Sequence, residues 1–385
     1  MISRTYEIKI NLSINEIDKK NWDNLLQDNK NPFYDWNWLS NLENSKSVTR
    51  ETGWQPLYFL AYLNEELCGI APLYLKIHSY GEFIFDQQFA RLAQDLNLNY
   101  YPKLIGMSPY SPIEGYQFIY KENANKSEIT KAIILRIEEF AKQNKILSCN
   151  FLYVNKEWGE HLKTYGYSDW VNTRSEWQNI GENSFEEFLL RFNSNQRKNI
   201  KKERKSIKEQ MIKIDIYSEE DLNKEIMINM HNFYEQHCLK WGVWGSKYLT
   251  QKFFKDALSN RENLLIFCAS NESTEKTIAM SMCIKNKDNL WGRYWGANDE
   301  FINLHFELCY YQPIEWAIKN KIQSFDPGAG GSHKRRRGFY AMETKSYHKW
   351  FDIRMESIIN DWLLRANKQT SEDIELENKL IPFRK

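Results

Sequence analysis

One short stretch near the carboxyl-terminal end of the sequence carries the densest set of residues that could do chemistry. A predicted strand runs into a glycine-rich loop, and a histidine and a lysine follow at once: Asp326, Gly328, Gly330, Gly331, His333 and Lys334. Glycines let the backbone approach a ligand and expose successive N–H groups, which suits an oxyanion or a phosphate. Asp326 and His333 could orient or deprotonate an amine. Because loops at the carboxyl ends of strands in α/β sheets often hold ligands, we expect a site here rather than a mobile connector with solvated cations.

A second set of residues lies upstream, on a predicted strand and the helix expected after it. Arg293 and Tyr294 are on the strand, and His305 and Glu307 are on a helix predicted over residues 305–319. Helical spacing places His305 and Glu307 on different faces. A proline inside this helix predicts a kink, because proline removes a backbone hydrogen bond. Glu307 also has a structural explanation, since the helix dipole stabilises a carboxylate in the first turn.

A row of cations lies on another predicted helix. Helical spacing aligns Arg197, Lys201 and Arg204 on one side, with further lysines beside them. Such a row would form a local phosphate site for a coenzyme pyrophosphate or a tRNA backbone. The alternative is a solvated charged face, which is the usual role of such a run.

A fourth cluster combines aromatic rings with a cation. Tyr100, Tyr101 and Lys103 lie beside Pro102, and a second proline follows at Pro112. Two tyrosines and a lysine next to rigid prolines could form one wall of a substrate site. Turn chemistry explains the same prolines equally well.

Composition excludes several functional classes. The 385 residues carry a net charge of +1, so no field over the whole protein would gather nucleic acid or anionic membrane. The six cysteines are scattered without a CxxC pair, no apolar signal core follows the first residues, and no stretch approaches the ~20 apolar residues of a membrane span. These features predict a cytoplasmic protein. GxxxxGK[ST], HExxH and GxSxG are absent, and the seven histidines show no zinc-ligand spacing, so we expect no bound metal.

The order of predicted elements repeats along the chain. The segments IAPLYLK (70–76) and IAMSMCIK (278–285) occupy the same place in two predicted hairpins, and a helix and a final strand follow each hairpin. This repetition predicts an α/β protein of two similar halves. We place the first domain at residues 1–180 and the second at 181–365, with a helical segment at 183–240 and a polar surface tail at 366–385.

The motifs together resemble a known bacterial family. They are GW-x-P (53–56), KIHSYGEFIFD (76–86), YYPKL (100–104), RKNIKKER (197–204), GRYWG (292–296), LHFELCYYQ-x-IEWAI (304–318) and DPGAGGSHKRRRGF (326–339). Over residues 31–363 the chain resembles the Fem-type (FemAB-like) peptidoglycan biosynthesis/recognition family of GNAT-like N-acyltransferases. The resemblance implies two tandem GNAT-like domains, with an inserted helical segment here. It also implies similarity to enzymes that transfer amino acids from aminoacyl-tRNA to cell-wall precursors.

The resemblance also implies roles for the candidate residues. Direct acyl transfer needs a base, for which we consider Glu307 or His333, and hydrogen-bond donors to the oxyanion, for which we consider Tyr294 or the loop amides. Asp326 completes the catalytic candidates. The donor-binding candidates are Arg197, Lys201, Arg204, Gly328, Gly330, Gly331 and Lys334, and the substrate-binding candidates are Tyr100, Tyr101, Lys103, Arg293 and His305.

The acyl donor and even catalysis itself stay open at this point. Acyl-CoA-using GNAT enzymes carry [RQ]-x-x-G-x-[GA] before the helix, whereas residues 298–304 read NDEFINL and lack those glycines. We therefore expect no permanently bound cofactor, with acyl-CoA or aminoacyl-tRNA as co-substrate and a small molecule or cell-wall precursor as acceptor. The alternatives are a non-catalytic recognition module that binds a cell-wall precursor or a protein partner, and a scaffold protein.

Overall fold

The computed structural model describes residues 5–26, 31–242 and 245–384. Contacts between residues divide the chain into two compact units. The first unit is Met1–Asn172 with Thr344–Ser371, and the second is Thr173–Glu343 with Glu372–Lys385. The first four residues of the segment that we searched for a signal peptide lie outside the described residues.

The first unit is an α/β domain. Its elements are β1 (Glu7–Asn11), α1 (Lys19–Leu25), α2 (Trp36–Asn44), β2 (Trp54–Leu63), β3 (Glu66–Lys76), α3 (Gln87–Asp95), β4 (Lys103–Gly106), β5 (Ile119–Tyr120), α4 (Lys126–Gln143), β6 (Ser148–Phe151) and α5 (Lys156–Leu162). Strand β7 (Ser168–Gln178) then leads into the second unit. Apolar residues of α4 and the strands form one buried core.

The second unit is also an α/β domain. Its elements are α6 (Phe185–Leu189), α7 (Ser194–Glu209), β8 (Ile212–Ser218), α8 (Lys224–Lys240), α9 (Gln251–Asp256), β9 (Leu264–Asn271), β10 (Thr277–Lys285), β11 (Asn289–Ala297), α10 (Leu304–Phe306), a π-helical turn (Glu307–Tyr311), α11 (Gln312–Lys319) and β12 (Ser324–Asp326). Strand β13 (Tyr340–Trp350) and helix α12 (Ile353–Lys379) close the chain, and each begins in one unit and ends in the other.

The two units have the same strand order, which confirms the duplication. The first unit orders its strands β1-β2-β3-β4-β6-β13, and the second orders them β8-β9-β10-β11-β12-β7. Within the described residues of each unit, the fourth and fifth strands of this order are the parallel pair, β4 with β6 and β11 with β12. The segments IAPLYLK and IAMSMCIK lie on β3 and β10, which hold equivalent positions. A helix connects each parallel pair, as a parallel connection requires.

Three sequence-based assignments differ from the structure. The first unit ends at Asn172 rather than at residue 180, and residues 344–371, most of which we assigned to the second domain, belong to the first unit. The segment predicted as a polar surface tail from residue 366 onward is instead part of the fold, because α12 extends to Lys379 and both Ile374 and Ile381 are buried. A few buried apolar side chains among polar ones anchor this segment, and periodicity did not reveal them. The helical segment 183–240 contains strand β8, whose sequence IKIDIYS alternates as a half-buried strand does.

The helix predicted over residues 305–319 is irregular rather than simply kinked. A π-helical turn separates the short α10 from α11, and Pro313 lies in the first turn of α11. Proline is tolerated there because its missing N–H would have no partner within the helix. No helix in the described part of the chain is both long enough and apolar enough to cross a membrane.

Candidate functional site

The glycine-rich loop after β12 is organised by two buried charges of its own. The Asp326 carboxylate accepts a hydrogen bond from the Gly328 N–H (2.7 Å), and Lys334 Nζ donates to the carbonyls of Gly328 (2.6 Å) and Ala329 (3.1 Å). Lys334 is only 2% exposed, and burial lowers its pKa to about 8. Burial also raises the pKa of Asp326. Both side chains therefore shape the loop from inside, and Lys334 is committed to loop carbonyls.

The arginines after the loop are mostly buried, so the interpretation as a connector with solvated cations fails. Arg335 donates to Glu377 and to the carbonyl of Phe339. Arg337 forms an ion pair with Glu203 (2.9 Å) and stacks over a phenylalanine ring. These contacts join segments far apart in the sequence, and they hold the loop in place.

His333 lies at the end of the loop and is surrounded by aromatic side chains. Its Nε2 is 2.9 Å from the hydroxyl of Tyr310, and its ring contacts those of His305 and Phe306. Burial lowers the pKa of His333, and the nearby Arg337 and Lys334 charges lower it further. The imidazole is only half-buried. It is therefore a neutral, partly accessible group at pH 7.

Gly331 makes the position of this imidazole possible. Its φ is +85°, and a Cβ there would lie 2.5 Å from Cε1 of His333. By contrast, a Cβ on Gly330 would meet no described atom within 4 Å, although its φ is also positive, at +71°. The two adjacent glycines therefore differ: both favour the left-handed backbone, but only Gly331 makes room for the histidine ring.

Glu307 and Arg204 form a buried ion pair. Arg204 Nε lies 3.1 Å from Glu307 Oε1, Gln312 donates to the same oxygen (2.8 Å), and Arg204 also bonds Glu315. Burial raises the pKa of Glu307, although the Arg204 charge opposes this. With its oxygens engaged by Arg204 and Gln312, Glu307 is poorly placed to take a proton from a substrate.

The remaining candidates are His305 on α10 and Arg293 and Tyr294 on β11. His305 packs against Trp295, and burial lowers its pKa to about 4, so it stays neutral. A β-bulge occurs at Arg293, because Met282 opposes Tyr294 and Cys283 opposes Gly292; bulges of this kind often re-aim side chains beside sites. The Arg293 charge stabilises the Asp326 carboxylate.

Tyr294 is not brought to the histidines by any described contact. Its ring packs against those of Tyr234 and Phe254, and burial raises its pKa to about 12. Its predicted role as an oxyanion donor has no supporting contact. The other predicted donors are the amides of the loop that precedes His333, of which that of Gly328 is already bonded to Asp326.

The predicted cation row on α7 is not a single anion site. Arg197 donates to the carbonyl of Phe192 (2.8 Å), and Arg204 is committed to its two glutamates. Lys201 is exposed to solvent. The exposed lysines of this helix and the remaining N–H groups of the half-buried Arg197 are the described groups that could still meet a phosphate.

In the first unit the structure brings Tyr100, Tyr101 and Lys103 together around a set of buried charges. Lys103 Nζ donates to Glu82 (2.7 Å) and to Asp86, and Tyr100 Oη donates to Asp86 (2.5 Å). Lys103 is 1% exposed. Burial raises the pKa of Glu82 to about 6. Burial acts in the same direction at Asp86, but the Lys103 charge together with hydrogen bonds from Lys103, Tyr100 and Ser79 outweighs it and lowers the pKa of that carboxyl.

A second buried lysine, which the sequence did not single out, belongs to the same set. Lys76 is 0% exposed, and burial lowers its pKa to about 7. Its Nζ lies 3.2 Å from His78 Nδ1 and donates to the carbonyl of Tyr80 (3.1 Å), and it stands 3.7 Å over the ring of Trp54. We call Lys76, Glu82, Asp86 and Lys103 the buried charge cluster. The available signal was the density of charged residues in KIHSYGEFIFD beside YYPKL.

The two units differ where their parallel strands end. In the first unit a parallel bridge between Tyr116 and Val154 continues beyond β4 and β6, and the Tyr116 ring packs directly on Gly106. In the second unit, β11 and β12 pair over three residues, ending at Trp291 with Asp326. No equivalent bridge follows among the described residues of that unit, and the glycine-rich loop begins there. The two parallel strand pairs therefore end differently, and the glycine-rich loop begins where the pair of the second unit ends.

Comparisons with known proteins agree with this architecture. The family model described as peptidoglycan biosynthesis/recognition (FemAB-like) matches residues 13–385. The crystal structure of FemX is similar at 12% identity and a TM-score of 0.53, covering 89% of this chain and 98% of that one. The C-terminal domain of a putative lysylphosphatidylglycerol synthetase from Agrobacterium fabrum gives 8% identity and a TM-score of 0.50, covering 91% and 98%.

At these identities the likeness to solved structures concerns the fold. No curated protein sequence matches the chain. The family match, however, extends over nearly the whole chain, and each unit carries the same sheet order around a parallel strand pair. The chain therefore belongs to the FemAB-like peptidoglycan biosynthesis/recognition family and consists of two tandem GNAT-like domains.

Proposed function

We propose that the protein is an N-acyltransferase that passes an acyl or aminoacyl group directly to an amine, with its reaction centre at the loop after β12. One observation carries the proposal: the half-buried imidazole of His333 is held beside the loop by a hydrogen bond with Tyr310 and by close packing against Gly331. Its pKa is lowered, so the imidazole is in the form that accepts a proton at pH 7.

In this reaction His333 takes the proton that the attacking ammonium must lose. With Nε2–H donating to Tyr310, the lone pair of Nδ1 is left to accept that proton. The amine nitrogen then forms its bond to the acyl carbon, and N–H groups of the loop stabilise the oxyanion. The bond from the acyl carbon to the donor oxygen or sulfur breaks, and the proton on His333 passes to that leaving group. The nitrogen releases its second proton to solvent as the amide forms.

Glu307 is the weaker candidate for the base. Both of its oxygens lie within hydrogen-bonding distance of Arg204, and Gln312 holds one of them. A carboxylate in such a pair would have to break it before it could accept a proton. His333 has no comparable obligation at Nδ1 among the described contacts.

The family suggests the class of donor and acceptor. Membership in a peptidoglycan biosynthesis/recognition family favours a cell-wall precursor as acceptor, and the resemblance of that family to enzymes that use aminoacyl-tRNA favours this donor over acyl-CoA. The absence of the glycine signature at residues 298–304 points the same way. We place the reaction in the cytoplasm, where charged tRNA is available.

A recognition module without catalysis is the second candidate. It is favoured by the engagement of Lys334 and Arg204, two predicted donor-binding cations, in internal contacts. Such a protein would bind a cell-wall precursor or a protein partner and turn nothing over.

A donor survey separates the two candidates. Purified protein is titrated at low salt with acyl-CoAs and with charged and uncharged tRNA, and transfer to amine acceptors is followed by mass spectrometry. We expect binding of one donor class and turnover that falls at least about tenfold in His333→Ala. If no donor class binds, the proposal of an acyltransferase is refuted. Donor binding without any turnover would favour the recognition module.

A further inference from the structure

The buried charge cluster of the first unit contains carboxylate oxygens that lack a partner. Glu82 and Asp86 each place one oxygen on Lys103 Nζ. Glu82 Oε1 and Asp86 Oδ1 are buried and have no hydrogen-bond partner among the described residues. The Ser79 hydroxyl lies near enough to Asp86 to help lower the pKa of that carboxyl. Leaving a buried ionised oxygen without a donor is costly, because the oxygen has lost its water and gained nothing in return.

The charge of the cluster is also incomplete. Lys103 carries one positive charge, and Glu82 and Asp86 carry two negative ones above pH 6, the value near which burial places the pKa of Glu82. Burial brings the pKa of Lys76 to about 7, so above neutrality the cluster holds one net negative charge. The other titratable groups that face it are His78, Tyr100, Tyr101 and His348.

A bound cation that carries hydrogen-bond donors would both pair the free carboxylate oxygens and neutralise the net charge. We propose that the buried charge cluster is a binding site for a primary ammonium group, whose N–H bonds go to Glu82 Oε1 and Asp86 Oδ1. An ammonium supplies three donors and one positive charge, as the lysine side chain does. The ligand class is therefore an aliphatic amine, which includes the amino group of an amino acid or peptide.

A polar path leads toward the cluster from the surface of the unit. Tyr101 is half-buried, its hydroxyl lies 2.8 Å from Ser79 Oγ, and Ser79 Oγ accepts from Lys103 Nζ at 2.8 Å. Movement of these two hydroxyl groups would open the way to Lys103 and its carboxylates. The proposal does not depend on acyl transfer, since amine binding can be measured without any donor.

The first experiment compares two cations with the wild-type protein. Binding of ethylammonium chloride is measured by calorimetry or ligand-observed NMR, with tetramethylammonium chloride as the control of equal charge without N–H donors. We expect ethylammonium alone to bind, and to bind more tightly at pH 8 than at pH 6, because Glu82 and Lys76 both lose protons over that range. No binding, or equal binding of tetramethylammonium, would overturn the proposal.

The second experiment places the ligand. Glu82→Gln and Asp86→Asn should each weaken ethylammonium binding about tenfold or more, the value of a lost charge-assisted hydrogen bond. Glu43→Gln is the matched control: Glu43 is also buried in the first unit, but both its oxygens are bonded, to Ser13, Ile14 and Tyr58. It should leave the affinity unchanged. Binding that survives both cluster variants would overturn the proposal.

A third measurement keeps the proposal testable if the cluster variants do not fold. Spectra of wild-type protein labelled with 15N-lysine report on the side-chain nitrogens directly. Ethylammonium should shift the Nζ resonances of the buried Lys76 and Lys103. Shifts confined to exposed lysines would mean that ordered water satisfies the carboxylate oxygens and that the cluster only stabilises the fold.

Discussion

Replacing Lys76 with methionine should change how stability depends on pH. Two hydrogen bonds and the Trp54 ring favour the ammonium form, but burial outweighs them and lowers the pKa of Lys76 from 10.5 to about 7. A shift of this size corresponds to about 5 kcal/mol of folding free energy. Because folding lowers the pKa of Lys76, the protein gains this free energy of unfolding fully above pH 10.5, the pKa in the unfolded chain. The gain is lost as the pH falls to about 7, the pKa in the folded protein.

The measurable part of this effect lies between pH 7 and 9. There the unfolded chain binds a proton that the folded chain increasingly does not, so the free energy of unfolding of the wild type should rise by about 2 kcal/mol relative to Lys76→Met. Urea unfolding followed by tryptophan fluorescence at both pH values gives this difference. Lys20→Met, at an exposed position, is the control and should show a constant difference from wild type.

A flat difference for Lys76→Met would refute the reasoning. It would mean that Lys76 remains an ammonium in the folded protein, so that the contacts with Trp54, His78 and Tyr80 outweigh burial. The buried charge cluster would then carry no net charge above neutrality, and its attraction for a cation would rest on Glu82 Oε1 and Asp86 Oδ1 alone.

Three further predictions concern the second unit. Gly331→Ala should lower turnover at least about tenfold, because its Cβ would collide with the His333 ring. Gly330→Ala has the same backbone strain, but its Cβ has no described atom within 4 Å, so it should lower turnover less. Steady-state kinetics of the two variants gives the comparison. The acid limb of the pH–rate profile should have its midpoint below 6.5, because burial lowers the pKa of His333, and a midpoint above that value would assign the base elsewhere. Arg337→Met should destabilise the protein by about 1–3 kcal/mol in urea, since it leaves the half-buried carboxylate of Glu203 without its cationic partner. A loss under about 1 kcal/mol would mean that the pair is effectively solvated.

Local patterns in the sequence determined the elements and their repetition. Continuous apolar runs gave the buried hairpin strands, and the equivalent placement of IAPLYLK and IAMSMCIK indicated two similar halves. The S-x-x-E pattern of Ser184 and Glu187 is typical of a helix start, and the Ser184 side chain does accept a hydrogen bond from the N–H of Glu187. Each of these signals depends on residues a few positions apart, so the sequence alone is sufficient to show them.

Only the tertiary structure decided which charged residues are available for chemistry. Arg204 and Glu307 are 103 positions apart, and Glu203 and Arg337 are 134 apart, yet each pair is in contact and so is not available to a ligand. Lys76 looked like an ordinary strand-end lysine until folding buried it. A side chain's charge state depends on the water it loses and on the partners it gains, and both are set by segments far away in the sequence. The sequence therefore determined the family, the elements and the residue types. The fold decided that His333 is partly accessible and neutral, and that most of the neighbouring cations are paired with other groups of the protein.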